Sequence, residues 1–468
     1  MMPDTVAGLQ AGGPRRRCYI ACPAPPTEPA VPILNDYLDH LRVLEQRYAA
    51  ALEQAGFEAV LLGAGIEQMH FLDDQGPAFR ANPMLMQWLP LPNHPGGLLL
   101  FRPGSKPLVV IVSDDDYWHL PPQLPPSPWR DALEIRVAAD PHAALAALGK
   151  LPSRTALVGP PAHWAALKTA GEINPPSLID ALHYQRSVKT GYEIALMREA
   201  TALGVAGHRA AREAFENRAS EFDILLAFLN ASRQHTNELP YPAIVAADEH
   251  AAVLHYQCYE RGRAPAASLL IDAGCASCGY ASDITRTYAA DGRAEFSALI
   301  DAMDQLQQAL CEKVRPGLHF AELQDQAHHG IADILAAHRL IDASPDEIVA
   351  AGATQCFLPH GLGHLLGVQV HDVGGELADI CGTRLEAPAA YPRLRLLREL
   401  QADQVLTIEP GLYFIDSLLD KLRAGAFGTR VDWSLVERLR PCGGIRIEDN
   451  LRITGTGAEN LTRQAFDA

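Results

Sequence analysis

Residues 269–288 read Leu269-Leu-Ile-Asp272-Ala-Gly-Cys-Ala-Ser-Cys-Gly-Tyr-Ala-Ser-Asp283-Ile-Thr-Arg-Thr-Tyr288. An apolar strand ends in Asp272, a Gly-containing turn follows over 274–279, and a second strand carries Asp283, so a hairpin brings both carboxylates to one place. Two facing carboxylates call for a cation. Taken singly, each aspartate also reads as a strand end or a turn cap. The rest of the chain decides between the two readings.

Further along lies Phe357-Leu-Pro-His360-Gly-Leu-Gly-His364-Leu-Leu-Gly-Val-Gln-Val-His371-Asp372, with three imidazoles in twelve positions. Glycines between them let the backbone approach closely, and the apolar residues argue against a solvated loop. Two more strands follow, Val405-Leu-Thr-Ile-Glu409-Pro-Gly-Leu-Tyr-Phe414 and Gly443-Gly-Ile-Arg446-Ile-Glu448-Asp-Asn450. Alternation puts Thr407 and Glu409 on one face, and Arg446 and Glu448 opposite Ile445 and Ile447. An inward glutamate is costly unless a cation balances it. Asp272, Asp283, His364, Glu409 and Glu448 together offer four carboxylates and one imidazole, a mostly oxygen set that suits a pair of divalent ions such as Mn²⁺. Cys275 and Cys278 form a Cys-x-x-Cys with no second pair, so they read as ordinary thiols rather than half of a zinc site.

The rest of the chain supplies the frame. Its 468 residues carry 39 Lys+Arg against 56 Asp+Glu, a net charge of −17 that excludes a nucleic-acid partner. Apolar runs fall short of the ~20 residues of a membrane helix, and the stretch after Arg15–Arg17 breaks at Pro23, Pro25 and Pro26, too soon for a signal-peptide core. A cytoplasmic protein with no membrane contact is expected. Nine scattered cysteines do not form a disulfide framework. Residues 1–31 read as a loose extension, followed from Ile33 by a helical stripe of Leu38, Leu41, Leu44, Tyr48 and Leu52, which Gly56 closes. Strands at 58–62, 97–101, 108–112 and 156–158, broken by a proline-rich loop at 120–128, make the first half an α/β domain. A helix from Tyr192 to about Glu216 opens the second half. The boundary is placed near residue 185, giving domains 1–185 and 186–468, with the chemistry in the second.

These motifs resemble the pita-bread metallopeptidases, the superfamily of methionine aminopeptidase, aminopeptidase P and prolidase, and most closely the bacterial Xaa-Pro dipeptidases. Phe71-Leu-Asp-Asp74, Phe79-Arg-Ala-Asn82, Leu239-Pro-Tyr241 and the run from Ile244 to Tyr256 extend the resemblance over nearly the whole chain. It implies an α/β N-terminal domain, an α+β pita-bread catalytic domain, a homodimer, and hydrolysis of small Xaa-Pro peptides. Asp272 and Asp283 are then expected to bind one ion and Asp283, His364, Glu409 and Glu448 to complete the pair, with Asp283 and Glu448 bridging and a hydroxide between the ions as nucleophile. Glu409 is the implied general base. His371 is expected on the scissile carbonyl and His255 and His360 at the proline end. Arg395 is the expected clamp on the dipeptide's free carboxylate, and Arg446 the arginine that orients metal-binding carboxylates. Aminopeptidase P, acting on longer peptides, and a non-catalytic peptide-binding relative are the alternatives; the second loses metal ligands, and all five are here. The chain departs from the pattern at Ser277, where relatives commonly have a tyrosine, leaving Tyr280 or a water to compensate, and at Leu365, where they tend to have proline.

Overall fold

The computed structural model describes residues 31–91, 93–113, 129–262 and 266–468; the extension expected before residue 31 and the loop at 120–128 lie outside them. The first helix, Val31–Ala55, starts two residues ahead of Ile33 and buries Leu41, Leu44, Tyr48 and Leu52 along one stripe, with Leu38 half-buried. Gly56, at φ +78°, ends it in the left-handed conformation that closes many helices.

The strand Ala59–Gly63 then enters the middle of a six-stranded mixed sheet, antiparallel to Leu98–Phe101 and parallel to Thr155–Val158. Leu108–Val112 and Glu134–Ala138 extend one edge, and Glu172–Ile173 the other. Elements on both faces bury the central strands completely, which is why they read as unbroken apolar runs instead of alternating ones. The helices Pro176–Arg186 and Gly191–Glu216 follow. The second begins with a reciprocal cap: Thr190 Oγ1 accepts from the Glu193 amide, and the Glu193 carboxylate accepts from the Thr190 amide.

The remaining chain is antiparallel α+β. Ser268–Asp272 lies between Thr285–Ala289 and Ile244–Ala247, Asp449–Ile453 lies between Val405–Ile408 and Ala458–Asn460, and Gly411–Tyr413 pairs with Gly444–Arg446. Single bridges, Thr285 to Glu448 and Leu365 to Leu406, draw these sheets together so that several strand ends converge. The helices Ala294–Lys313 and Phe320–Ala337 bury Phe296, Leu299, Met303, Phe320 and Leu323 in the core beneath them.

Three details differ from the sequence reading. Asp283 is not within a strand: it stands in the irregular run 282–284, before Thr285–Ala289. A Cβ on Gly274 would lie 1.9 Å from the Ser282 carbonyl oxygen, so the two arms approach too closely for a regular ladder. Glu409 lies just beyond Val405–Ile408, next to Pro410, which has no amide hydrogen for a ladder. Glu448 lies two residues beyond Gly444–Arg446. Residues freed from the pleat can aim at one point instead of alternating. Among the described residues no helix is long and apolar enough to cross a membrane.

Candidate active site

The segment from His360 to Asp372 has no helix or strand, yet it is tightly held. The Leu366 amide donates to the Val405 carbonyl, while the Thr407 and Glu409 amides donate to the carbonyls of His364 and Leu362 at 2.9 and 2.8 Å. Gly363 permits this approach, because a Cβ there would lie 2.0 Å from the Thr407 carbonyl oxygen. His364 is thereby placed beside the ends of the converging strands.

Ligating atoms of Asp283, His364 and Glu448 all lie within 4.8 Å of one another, and all three residues are buried. His364 Nε2 is 3.4 Å from Asp283 Oδ2 and 3.7 Å from Glu409 Oε1. Its Nδ1 is 2.9 Å from the Leu365 carbonyl, a bond that places the proton on Nδ1 and leaves Nε2 as a donor of electrons. Asp272 joins through Tyr241, whose hydroxyl is 2.7 Å from Asp272 Oδ1 and 2.5 Å from Asp283 Oδ1. Of the five residues named from the sequence as metal ligands, Asp283, His364 and Glu448 cluster, Glu409 stands beside His364, and Asp272 is tied to Asp283 through the Tyr241 hydroxyl.

Arg446 links the carboxylates to the imidazoles. It donates to Asp272 Oδ2 at 2.6 Å, to the Tyr413 hydroxyl at 2.8 Å and to Thr285 Oγ1 at 3.2 Å. Thr285 in turn donates to Glu448 Oε2 at 2.6 Å. Tyr413 OH lies 2.8 Å from His360 Nε2, and His360 Nδ1 lies 2.9 Å from the Gly361 carbonyl. Both nitrogens of His360 are thus engaged within the protein. The His371 ring stands edge-to-face on His364 with centroids 4.4 Å apart. Partial desolvation, then the charges of His364, Arg395 and His255, lower the His371 imidazole to about 4.

The electrostatics test whether a metal fits. Burial raises Glu448 well above the carboxylate range, and the charges of Asp283 and Glu409 raise it further. Burial likewise raises Asp283 and lifts Glu409 to about 7, against the pull of His364. His364 is pulled down by burial, but the Asp283 hydrogen bond and the charge of Glu409 leave it raised. Two buried carboxylates and the partly buried Glu409, which repel one another and crowd one imidazole, form a donor set that a divalent cation would relieve. The residues fit such an ion.

Sequence reading missed Tyr241 as a carboxylate-orienting residue and Tyr413 as the link between Arg446 and His360. The departure at Ser277 is also clarified. Its hydroxyl donates to Glu199 at 2.9 Å, away from the cluster. Tyr280 does not compensate, because its buried hydroxyl is bound to Glu193 at 3.0 Å; the phenol at the aspartates comes from Tyr241. The Cys275 and Cys278 thiols are free, and burial pushes Cys275 up to about 12, as fits an ordinary thiol.

Residues 195–455 match metallopeptidase family M24, and residues 35–184 match the Xaa-Pro dipeptidase N-terminal domain. A Xaa-Pro dipeptidase of Stenotrophomonas maltophilia is 46% identical over 435 residues, covering 92% of this chain and 97% of that protein. One of Aeromonas hydrophila is 45% identical over 432 residues, covering 92% and 98%. Among solved structures, Escherichia coli aminopeptidase P with the inhibitor Pro-Leu superposes with a TM-score of 0.69 at 24% identity, covering 91% of this chain and 95% of that one. Pseudomonas aeruginosa aminopeptidase PepP gives 0.68 at 23%, covering 92% and 95%. The chain therefore belongs to metallopeptidase family M24, a metallopeptidase of the pita-bread fold whose catalytic half follows an Xaa-Pro dipeptidase N-terminal domain.

Proposed function

We propose that this metallopeptidase is an Xaa-Pro dipeptidase that works with two divalent ions, Mn²⁺ being the best match to its donors, held by Asp272, Asp283, His364, Glu409 and Glu448. The observation that carries the reading is the buried Asp283, His364 and Glu448 cluster, in a chain whose relatives are Xaa-Pro dipeptidases over nearly their whole length. Bound divalent ions acidify water and polarise a carbonyl. The protein does the rest. Glu409 takes the proton of the attacking water on its side chain and passes it toward the leaving nitrogen. His371, held neutral, hydrogen-bonds the carbonyl oxygen as charge develops there. Arg446 fixes Asp272 through a short charged bond. His255 lies at the proline end, while His360 reaches substrate only by exchanging its bond to Gly361 or Tyr413. Arg395 forks onto the free carboxylate of the dipeptide. The peptide bond before proline has no amide hydrogen, so recognition has to rest on the chain ends.

The second reading is aminopeptidase P; the likeness to solved structures of that name is, at this identity, a likeness of fold alone. Metal analysis combined with hydrolysis of Ala-Pro against Ala-Pro-Ala, in wild type and in Glu409→Ala, separates the readings. Metal-dependent cleavage of Ala-Pro alone, abolished in the variant, is expected. Preference for Ala-Pro-Ala would select the second reading, and a variant that keeps both metal and activity would remove the mechanism. The resemblance also carries a homodimer and a cytoplasmic location, which sedimentation and cell fractionation test directly.

A further inference from the structure

The turn between the helices Pro176–Arg186 and Gly191–Glu216 carries two cations, Arg186 and Lys189, and both point at one carboxylate, Asp372. Lys189 Nζ is 2.8 Å from Asp372 Oδ2, and Arg186 is paired with Oδ1. The three side chains are 1%, 3% and 0% exposed, respectively for Lys189, Arg186 and Asp372. Two cations on one anion leave net positive charge out of water. The remaining donors are partly met: Lys189 reaches the carbonyls of Arg186 and Ser187 at 2.9 and 3.2 Å, and Arg186 reaches Gln369 Oε1 at 2.7 Å. A buried ion cluster is weak evidence for stability in itself, since desolvation offsets much of the attraction. What it holds is more telling.

Gln369 and Asp372 are the points at which the turn holds a run without helix or strand, and His371 lies between them. The same run continues to Gly375, whose carbonyl accepts from the amides of Leu397 and Arg398 at 2.9 and 3.2 Å. A Cβ on Gly375 would lie 2.8 Å from the Arg395 carbonyl oxygen, so the two backbones are in contact. The turn grips this second strip too, because Arg398 donates to Ser187 Oγ at 3.0 Å. One short turn thus holds the two strips that present His371 and Arg395.

We infer that Arg186, Lys189 and Asp372 are positioning residues that set the spacing between His371 and Arg395, and hence the fit to the substrate's carboxylate end. The inference rests on the proposed role of Arg395 as carboxylate clamp. The test compares Ala-Pro with Ala-Pro amide, in which the carboxylate charge is gone, for wild type, Lys189→Met and Lys189→Arg, with bound metal measured in each. Lys189→Met leaves Arg186 and Asp372 as a balanced pair. The expected result is a wild-type preference for the free acid, reduced about tenfold or more in Lys189→Met, mainly through KM, with metal content unchanged and Lys189→Arg recovering most of it. A lowered melting temperature with the preference intact would make the cluster purely structural and overturn the inference. No preference in wild type would instead remove the clamp reading, and the inference with it. Gln369→Ala removes a partner of Arg186 without stranding a charge and carries the same prediction at smaller scale, so misfolding of Lys189→Met does not shelter the inference.

Discussion

At the scale of single residues, chemistry was legible where the residue type announces it. Carboxylates and imidazoles set among glycines and apolar residues have few uses, so Asp272, Asp283, His364, Glu409 and Glu448 could be named before any coordinates. Tyrosines announce nothing: a phenol packs, caps or orients. Tyr241 acts on residues 31 and 42 positions away, and Tyr413 receives Arg446 from 33 positions away, separations that no local spacing encodes. Tyr241 supplies a hydroxyl shared by Asp272 and Asp283. Replacing it by phenylalanine keeps the ring but removes the hydroxyl that ties the two acids together, leaving Asp272 to Arg446 and Asp283 to His364. Tyr241→Phe is expected to weaken metal binding about ten- to a hundredfold, measured by calorimetric titration of the stripped protein with Mn²⁺. An unchanged affinity would leave the phenol no orienting role. Arg395→Ala belongs at this scale as well. Loss of a charged, forked hydrogen bond should raise KM for Ala-Pro roughly tenfold or more, and steady-state kinetics showing the wild-type KM would remove the clamp.

At the scale of elements, four strands of the first half were read within a residue or two, while the largely exposed edge strands Glu134–Ala138 and Glu172–Ile173 and the short helices between strands went unread. The four are short, almost fully buried apolar runs, so their ends nearly coincide with the ends of the runs. The second half was harder, because its functional residues stand where regular pairing stops. The alternation that assigned Glu409 and Glu448 to strand faces ends one and two residues too early. Irregular backbone has no period to read; only its glycines mark it. Gly363 is such a mark, since it lets the His364 segment lie against Thr407. Gly363→Ala forces a methyl group into the Thr407 carbonyl, and a backbone atom cannot rotate aside. Thermal melting should show a loss of about 1–3 kcal/mol, accompanied by reduced metal content as His364 is displaced. A variant with wild-type melting and full metal would mean that the contact is dispensable.

At the scale of the whole molecule, composition gave a net charge of −17 and little guidance to what acid would do to the fold. The structure locates the sensitivity in buried histidines. His208 is fully buried, its Nε2 2.9 Å from the Ala273 carbonyl, and its Nδ1 has no partner among the described residues. Burial holds its imidazole at about 4. His328, wedged between Gln324 and Thr354, is likewise held at about 4 by burial. Both folded values lie below the unfolded histidine value of about 6.5, so between these limits the unfolded chain binds more protons than the folded one. The stability that comes from keeping the rings neutral is therefore complete above about pH 6.5 and drains away as pH falls toward 4, by at most on the order of 3 kcal/mol per ring. Asp372 adds a later loss: Arg186 and Lys189 overcome the effect of burial and hold it below the ordinary carboxylate value, so its contribution fades only as pH drops beneath about 3.9. Denaturant melts from pH 8 to 4 should show wild-type stability falling through this range. In His208→Gln, whose side chain cannot titrate, the fall should be smaller whatever the variant's stability at pH 8. Parallel curves for the two proteins would show that protonation of His208 does not drive the acid response.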